Sequence, residues 1–278
     1  MAVLILGCGY TGSRVSRASA ARGDRVIATV RSAREAEAVA AIGAEPLLLE
    51  ASDLASVAGL RAAAERLGGA LRVLFTIPPA RRADGAEITG ELVRALAGLA
   101  VRFVYLSSTS VYGDARQVDE TTPAAPVTER ARLRIAAERA VAAGSWSWIV
   151  LRPAAIYGPG RGALAPGGGR FRHATSLDAV VSRAHVDDLA AIAVAALDSA
   201  DVSGTFPVAD EGAASAREIL ARQGRPAEHG YCADPRAKDK ERVVDGRAIL
   251  RQLGVTLRYP TVDAALAADD SGRGTSVV

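Results

Sequence analysis

The amino-acid sequence predicts an α/β fold in which a doubly wound parallel sheet carries helices on both faces and a smaller C-terminal lobe follows. Short apolar runs alternate with helix-forming stretches as far as Leu151, and a glycine-rich turn follows the first run. Beyond Leu151 the alternation fades. Strands that alternate with helices of about 10–15 residues are typical of βαβ units. Right-handed crossovers then place helices on both faces of the sheet.

The predicted elements follow from apolar runs and their breakers. Strands are expected at 2–6, 25–30, 46–49, 71–77, 101–106 and 146–151. Helices are expected between them at 11–22, 33–42, 54–67, 88–99 and 128–143, most of them ended by glycine. The C-terminal part is expected to contain a helix at 186–197, a strand at 204–208 and a helix at 214–223, with a glycine- and proline-rich loop at 153–172. The last ten residues, 269–278, have the composition of a disordered tail.

Composition excludes several classes of protein. The chain has 278 residues, 49% of them apolar and 23% charged, with a net charge of +3, which excludes a disordered chain, a coiled coil and a fibre. Two cysteines and three isolated histidines indicate neither a disulfide framework nor a metal site. No dense basic run points to nucleic acid, and no apolar run is long enough to cross a membrane. We therefore expect a cytoplasmic protein with a small-molecule ligand.

A phosphate-binding loop is the strongest motif. Gly7-Cys8-Gly9-Tyr10-Thr11-Gly12 follows the first predicted strand and opens the first predicted helix. Gly7 permits the tight turn, Gly9 lets a pyrophosphate approach the backbone, and Gly12 lets helix and strand pack closely. Free amides at the helix N-terminus, including those of Tyr10 and Thr11, would bind the phosphate charge. The alternative is an ordinary strand-to-helix turn.

The end of the second predicted strand indicates which coenzyme binds. A unit that binds NAD usually has Asp or Glu there to accept hydrogen bonds from the ribose hydroxyls. This chain has Arg31 and Ser32 instead, with Arg34 nearby, and these residues can bind a 2′-phosphate. We therefore expect NADP, with NAD as the second choice. The alternative is that Arg31 is only a solvated surface residue.

Four segments carry a family resemblance: GCGYTG at 7–12, LSSTSVYG at 106–113, LRPAAIYGPG at 151–160 and RAHVDDLA at 183–190. In this order they resemble the extended short-chain dehydrogenases/reductases, and most closely an atypical branch of NAD-dependent epimerases/dehydratases. The resemblance implies a Rossmann domain over 1–153. It also implies a substrate-binding lobe that is mainly 154–268, with segments at about 180–200 returning to the first domain.

The resemblance also implies roles for individual residues. Ser108 corresponds to the catalytic hydroxyl of the family. Coenzyme contacts are implied for Glu50 on the adenine side, for Thr76, Ile77 and Pro78 beside the nicotinamide ribose, and for Pro153. His185, Asp187 and Asp188 correspond to a segment that usually braces the lobe.

The chain departs from the family at the catalytic pair, which is Tyr-x-x-x-Lys on one helix face. No such motif exists here, since the only lysines are Lys238 and Lys240. Aligning Glu138 with the glutamate that follows the family motif puts Arg130 in the tyrosine position and Arg134 in the lysine position. Arg134 can still bind the ribose, but Arg130 scarcely deprotonates and cannot serve as an acid.

A proton donor must therefore come from elsewhere. Tyr112 is the first candidate because it lies close to Ser108 in sequence, and Tyr157 is the second. The competing interpretation of Tyr112 is a loop residue packed against the sheet end.

Two functions remain open. The first is an NAD(P)-dependent oxidoreductase or epimerase acting on a carbonyl or alcohol, such as one in a nucleotide-linked sugar. The second is a non-catalytic NADP(H) sensor that has lost the catalytic pair. The resemblance further suggests a homodimer formed through the helices that follow the fourth and fifth strands.

Overall fold

The computed structural model describes residues 1–165, 177–225 and 241–273. The chain divides into two compact units. The first unit comprises Met1–Gly113, Ala124–Arg152 and Ala190–Thr205; the second unit comprises Asp114–Pro123, Pro153–Leu189 and Phe206–Val278. The last seven residues of the predicted glycine-rich loop, 166–172, lie outside the described residues, as do Lys238 and Lys240.

A seven-stranded sheet organises the first unit. Its strands are β1 (Ala2–Leu6), β2 (Arg25–Val30), β3 (Glu45–Leu48), β4 (Leu71–Phe75), β5 (Ala100–Leu106), β7 (Ser147–Pro153) and β10 (Gly204–Val208). They are ordered β10-β7-β5-β4-β1-β2-β3, and the pairs from β7 to β3 are parallel. The predicted doubly wound parallel sheet is confirmed. The strand order reverses between β1 and β4, and ligands of such sheets bind outside the carboxyl ends at this point.

Helices at the predicted positions connect these strands, although α4 ends at Ala95 and not at 99 as predicted. They are α1 (Gly12–Ala21), α2 (Ala33–Ala41), α3 (Leu54–Leu67), α4 (Ile88–Ala95), α5 (Glu129–Ala142) and α6 (Val186–Asp198). Polar caps begin several of them: Ser32 and Glu35 form a capping box on α2, and the Asp53 carboxylate accepts two amides of α3. Every residue of β1 is buried, which explains why its sequence is an uninterrupted apolar run.

An aromatic cluster forms part of the core under the sheet. The ring of Phe103 lies 5.1 Å from Trp146 and 6.2 Å from Phe75, and Phe75 in turn lies 5.3 Å from Tyr105. Offset and edge-on arrangements at these separations stabilise a core beyond simple area burial. The cluster packs β4 against β5. Because these strands are paired in parallel, the residues that follow them lie at the same edge of the sheet.

The second unit is built from short elements. They are β6 (Gln117–Val118), β8 (Ala155–Tyr157), β9 (Arg183–His185), β11 (Val243–Val244), α7 (Ala216–Arg222), α8 (Arg247–Leu253) and α9 (Val262–Arg273). The strands pair in parallel as β8 with β9 and β11 with β6. Tyr157, Ile219 and Val262 belong to its hydrophobic core.

The chain end differs from the expectation of a disordered tail at 269–278. Helix α9 continues to Arg273, because its alanine-rich sequence has high helix propensity and Asp263 lies in its first turn. Residues 274–278 lie outside the described part. Among the described residues, none of the helices combines the length and the apolar character that a bilayer crossing demands.

Candidate active site

The glycine-rich turn between β1 and α1 is held by its neighbours on both sides. The Gly7 amide donates to the Thr29 hydroxyl at 2.8 Å, and the Cys8 amide donates to the Thr29 carbonyl at 2.8 Å. Directly after β4, Thr76 donates its hydroxyl to the Gly7 carbonyl at 2.6 Å. The loop is therefore fixed in place by the ends of β2 and β4.

Each glycine of the motif has a distinct steric role. Gly7 has φ of +96°, a left-handed conformation that favours glycine, and a β-carbon there would lie 2.7 Å from the Thr76 hydroxyl. A β-carbon at Gly12 would overlap the Gly7 carbonyl oxygen. At Gly9, by contrast, a β-carbon would meet nothing within 4 Å. Gly7 and Gly12 shape the turn, whereas Gly9 leaves open space in front of the backbone.

The start of α1 presents unused hydrogen-bond donors at this open space. Within the described part of the chain, the amides of Thr11 and Gly12 donate to no protein acceptor, and Thr11 provides no side-chain cap. The positive end of the helix dipole lies at the same place. Unused amides and a positive helix end are the features that anion-binding helix N-termini share.

Arg14 lies against Tyr10 and so places a positive charge beside the loop. The guanidinium of Arg14 lies 4.4 Å from the centre of the Tyr10 ring and donates to the Tyr10 carbonyl at 2.7 Å. Arg14 was not singled out in the sequence, although its spacing of four residues from Tyr10 on a predicted helix start was a usable signal.

The end of β2 carries the residues expected to distinguish NADP from NAD. Arg31 is exposed, and Ser32 caps α2 through its hydroxyl oxygen, which lies within hydrogen-bonding reach of the Glu35 carboxylate. The carboxylate of Glu35 accepts the amides of Arg31 and Ser32, and these bonds hold the pKa of Glu35 below its usual value. The Ser52 hydroxyl, together with the more distant charge of Arg31, lowers the pKa of Glu50.

Three residues follow β4 at the predicted nicotinamide side. Thr76 and Ile77 are half-buried, and Pro78 is exposed. The Thr76 amide donates to the Leu6 carbonyl at 2.8 Å, which places this segment directly beside the end of β1. Its position agrees with a contact to a ligand at the carboxyl edge of the sheet.

Ser108 follows β5 at the same edge. Its hydroxyl oxygen accepts the Ser110 amide at 3.1 Å and caps a short 3-10 helix, η1 (Thr109–Tyr112). Ser108 is half-buried, so its hydroxyl proton remains available to a ligand. Capping fixes the side chain in one orientation.

A buried ionic network lies behind Ser108. Arg152 donates to both carboxylate oxygens of Glu138, at 3.1 and 2.6 Å, and the Ser107 hydroxyl bonds the same carboxylate at 2.5 Å. The Tyr112 ring is 1% exposed, and the Arg152 guanidinium lies 4.8 Å from its centre. Tyr112 is thus packed against this network. The role of Arg152 was missed in the sequence because its partners are distant along the chain.

Helix α5 carries Arg130 and Arg134, the residues that the sequence prediction puts at the tyrosine and lysine positions of the family. Arg130 is exposed and Arg134 is half-buried. Arg134 lies near Tyr105, whose buried hydroxyl has no hydrogen-bond partner of normal geometry among the described residues. Burial raises the pKa of Tyr105, and the positive charge of Arg134 opposes that rise.

The remaining predicted residues belong to the second unit. Pro153 is buried at the end of β7. The carboxylate of Asp188 accepts the amides of Arg258 and Tyr259, both at 2.8 Å, and so ties α6 to the segment before α9. His185 is buried, and Asp187 donates its amide to the His185 ring at 3.3 Å.

Tyr157 lies inside the second unit beside Asp210, a residue that the sequence did not suggest. The Asp210 carboxylate accepts the His185 amide at 3.0 Å, and burial raises its pKa to about 7. Burial and the nearby Asp210 charge raise the pKa of Tyr157 well above that of a free phenol. Tyr157 therefore releases its proton reluctantly and is the weaker candidate for an acid.

Comparisons with known proteins identify the family of this chain. The model of the NAD dependent epimerase/dehydratase family matches residues 3–209. A 3-diazoavenalumate denitrifying reductase from Streptomyces sp. is 32% identical over 81% of this chain and 81% of that protein.

Two solved structures are similar over nearly the whole chain. A functionally unknown conserved protein from Silicibacter pomeroyi DSS is 31% identical, with a TM-score of 0.78 and coverage of 98% of each chain. MoeE5, solved in complex with UDP-glucose and NAD, is 21% identical, with a TM-score of 0.78 and coverage of 99% of this chain and 100% of that one. The expected family resemblance is confirmed, and the chain belongs to the NAD-dependent epimerase/dehydratase family.

Proposed function

We propose that this protein is an NADP(H)-dependent oxidoreductase or epimerase that acts on a carbonyl or alcohol carbon, with nucleotide-linked sugars as the favoured substrate class. The observation that carries the proposal is the open space at Gly9 in front of the free amides of Thr11 and Gly12. A diphosphate fits this cradle, whereas a side chain at position 9 would fill it.

The coenzyme would be bound by residues along the carboxyl edge of the sheet. Thr11 and Gly12 would bind the diphosphate, and Arg31 with Ser32 would bind the 2′-phosphate through charge-assisted hydrogen bonds. Glu50 would lie on the adenine side, and the segment Thr76, Ile77 and Pro78, with Pro153, on the nicotinamide side. The absence of a carboxylate at the end of β2 supports NADP over NAD.

The bound nicotinamide would supply or accept a hydride at the substrate carbon. The Ser108 hydroxyl, oriented by the Ser110 amide, would donate a hydrogen bond to the substrate oxygen. Tyr112 remains the proposed source of the proton, and Arg134 would hold the nicotinamide ribose. Arg130 retains its charge and takes no part in proton transfer.

The similar proteins support a reaction of this kind. The Streptomyces relative is named a reductase, and MoeE5 was solved with a nucleotide-linked sugar and NAD. We also propose that the protein is a cytoplasmic homodimer, with α4 and α5 forming the interface.

A second candidate is a non-catalytic NADP(H) sensor. It is favoured by one observation: the sequence contains no Tyr-x-x-x-Lys motif. In this case coenzyme binding would be retained and turnover lost.

The experiment that tests the proposal has two stages. Calorimetry with NADP+ and NAD+ should give tighter binding of NADP+, and absence of heat with both would refute the function. NADPH oxidation is then measured with a panel of sugar nucleotides and simple ketones, comparing the wild type with Ser108→Ala. A loss of activity of about 100-fold with unchanged NADP+ affinity supports the enzyme. Coenzyme binding without turnover of any compound favours the sensor.

A further inference from the structure

Two arginines on α5 face the same side of the helix. Arg130 and Arg134 are four residues apart, and residues at this spacing lie one above the other. Arg134 approaches Tyr105 near the carboxyl end of β5, and Ser108 follows that strand. Helix α5 also packs against η1, which Ser108 caps. The pair therefore lies at the proposed reaction site.

Nearby carboxylates do not neutralise this pair. Glu129 is paired with Arg81 at 2.8 Å and with Arg132 at 3.4 Å. Glu138 is engaged by Arg152 at 2.6 Å.

Glu87, the remaining carboxylate close to Tyr105, accepts the amides of Thr89 and Gly90 at the start of α4. Over residues 1–165, 177–225 and 241–273, neither Arg130 nor Arg134 forms an ion pair. Two positive charges are left at one place.

The proximity of the Arg130 and Arg134 guanidinium groups is unfavourable without a counter-charge. Burial lowers the pKa of Arg134 and the neighbouring charge of Arg130 also lowers it, and the opposing effects of Tyr105 and Glu138 do not offset them. Like charges at this helical spacing repel, and a half-buried guanidinium loses hydration. A negative group between the two side chains would remove both penalties.

We propose that the substrate carries a carboxylate that binds between Arg130 and Arg134, beside the Ser108 hydroxyl. This inference rests on the proposed function and narrows its substrate class to acids. The planar fork of a guanidinium matches the two oxygens of a carboxylate. Because a guanidinium has five N–H donors, Arg134 can bind the ribose and the carboxylate together.

A matched pair of probes tests the inference. UDP-glucuronate and UDP-glucose differ by a carboxylate on the sugar, and their binding is measured by calorimetry on the full chain with and without NADP+. We expect the wild type to bind UDP-glucuronate about tenfold more tightly, the size expected for one charge-assisted hydrogen bond. Arg130→Gln should abolish this preference, and Arg134→Lys should retain part of it.

The control is Arg132→Gln on the same helix, because Arg132 is exposed and pairs with Glu129. It should leave the preference unchanged. Equal or undetectable binding of both probes to the wild type, or a preference that survives Arg130→Gln, would overturn the inference. NADP+ affinity is measured separately, so failure of the proposed function is recognised by lost coenzyme binding and not by lost acid preference.

Discussion

The carbonyl oxygen of Gly7 occupies the place where residue 12 would carry a β-carbon. This close approach of loop and helix explains why Gly12 begins α1 directly against the turn. Gly9 differs, since open space lies in front of it. Glycine at position 12 is therefore required by the fold, whereas glycine at position 9 would be required only by a bound ligand.

Alanine substitutions at these glycines should have different effects. Gly12→Ala forces the backbone apart and should lower the free energy of unfolding by about 1–3 kcal/mol, measured by urea denaturation. Gly9→Ala should leave stability unchanged while lowering NADP+ affinity at least about tenfold, because its methyl group enters the diphosphate space. Gly59→Ala in α3, where a β-carbon also meets nothing within 4 Å, serves as the control and should not change affinity. Normal NADP+ affinity in Gly9→Ala would contradict the assigned loop.

The charge of Arg31 should determine coenzyme preference. Arg31→Asp places a third carboxylate beside Glu35 and Glu50, which repels a 2′-phosphate. We expect affinity for NADPH to fall at least about tenfold more than affinity for NADH, measured by fluorescence titration. The control Arg66→Asp changes the same charge at an exposed residue paired with Glu45. Equal losses for both coenzymes would remove the argument for NADP.

The Glu138–Arg152 pair should be costly to break. Glu138→Gln leaves the Arg152 guanidinium buried without its counter-charge, and we expect a loss of about 3–5 kcal/mol in the free energy of unfolding. Glu129→Gln on the same helix removes an exposed pair with Arg81 and should cost far less, because solvent screens that pair. Urea denaturation of both variants measures the difference. Similar small losses in both would show that the network is not needed to hold Ser107 and Tyr112.

The sequence predicted the sheet of the first unit well because most of its strands are largely apolar runs. It missed β8 and β9, which have three residues each and no measurable periodicity, and whose pairing joins segments far apart in the chain. The same limit applies to the site. The glycines of the loop are local signals, whereas the burial of Tyr112 against Arg152 depends on a contact across 40 sequence positions that no local pattern records.

Asp210 should make stability depend on pH. Its pKa of about 7 in the folded protein lies above the value near 3.9 expected when unfolded, so the folded state retains a proton that the unfolded state releases. The free energy of unfolding should therefore fall as pH rises from about 4 to 7, with a slope of up to about 1.4 kcal/mol per pH unit, and stop falling above that range.

Asp210→Asn keeps the shape of the side chain without titrating and should remove this slope. Asp178→Asn, which replaces an exposed carboxylate paired with Arg217, should keep the slope. Urea denaturation across this pH range measures all three proteins. An unchanged slope in Asp210→Asn would assign the pH dependence to other groups, and the buried carboxylate beside Tyr157 would then be charged throughout.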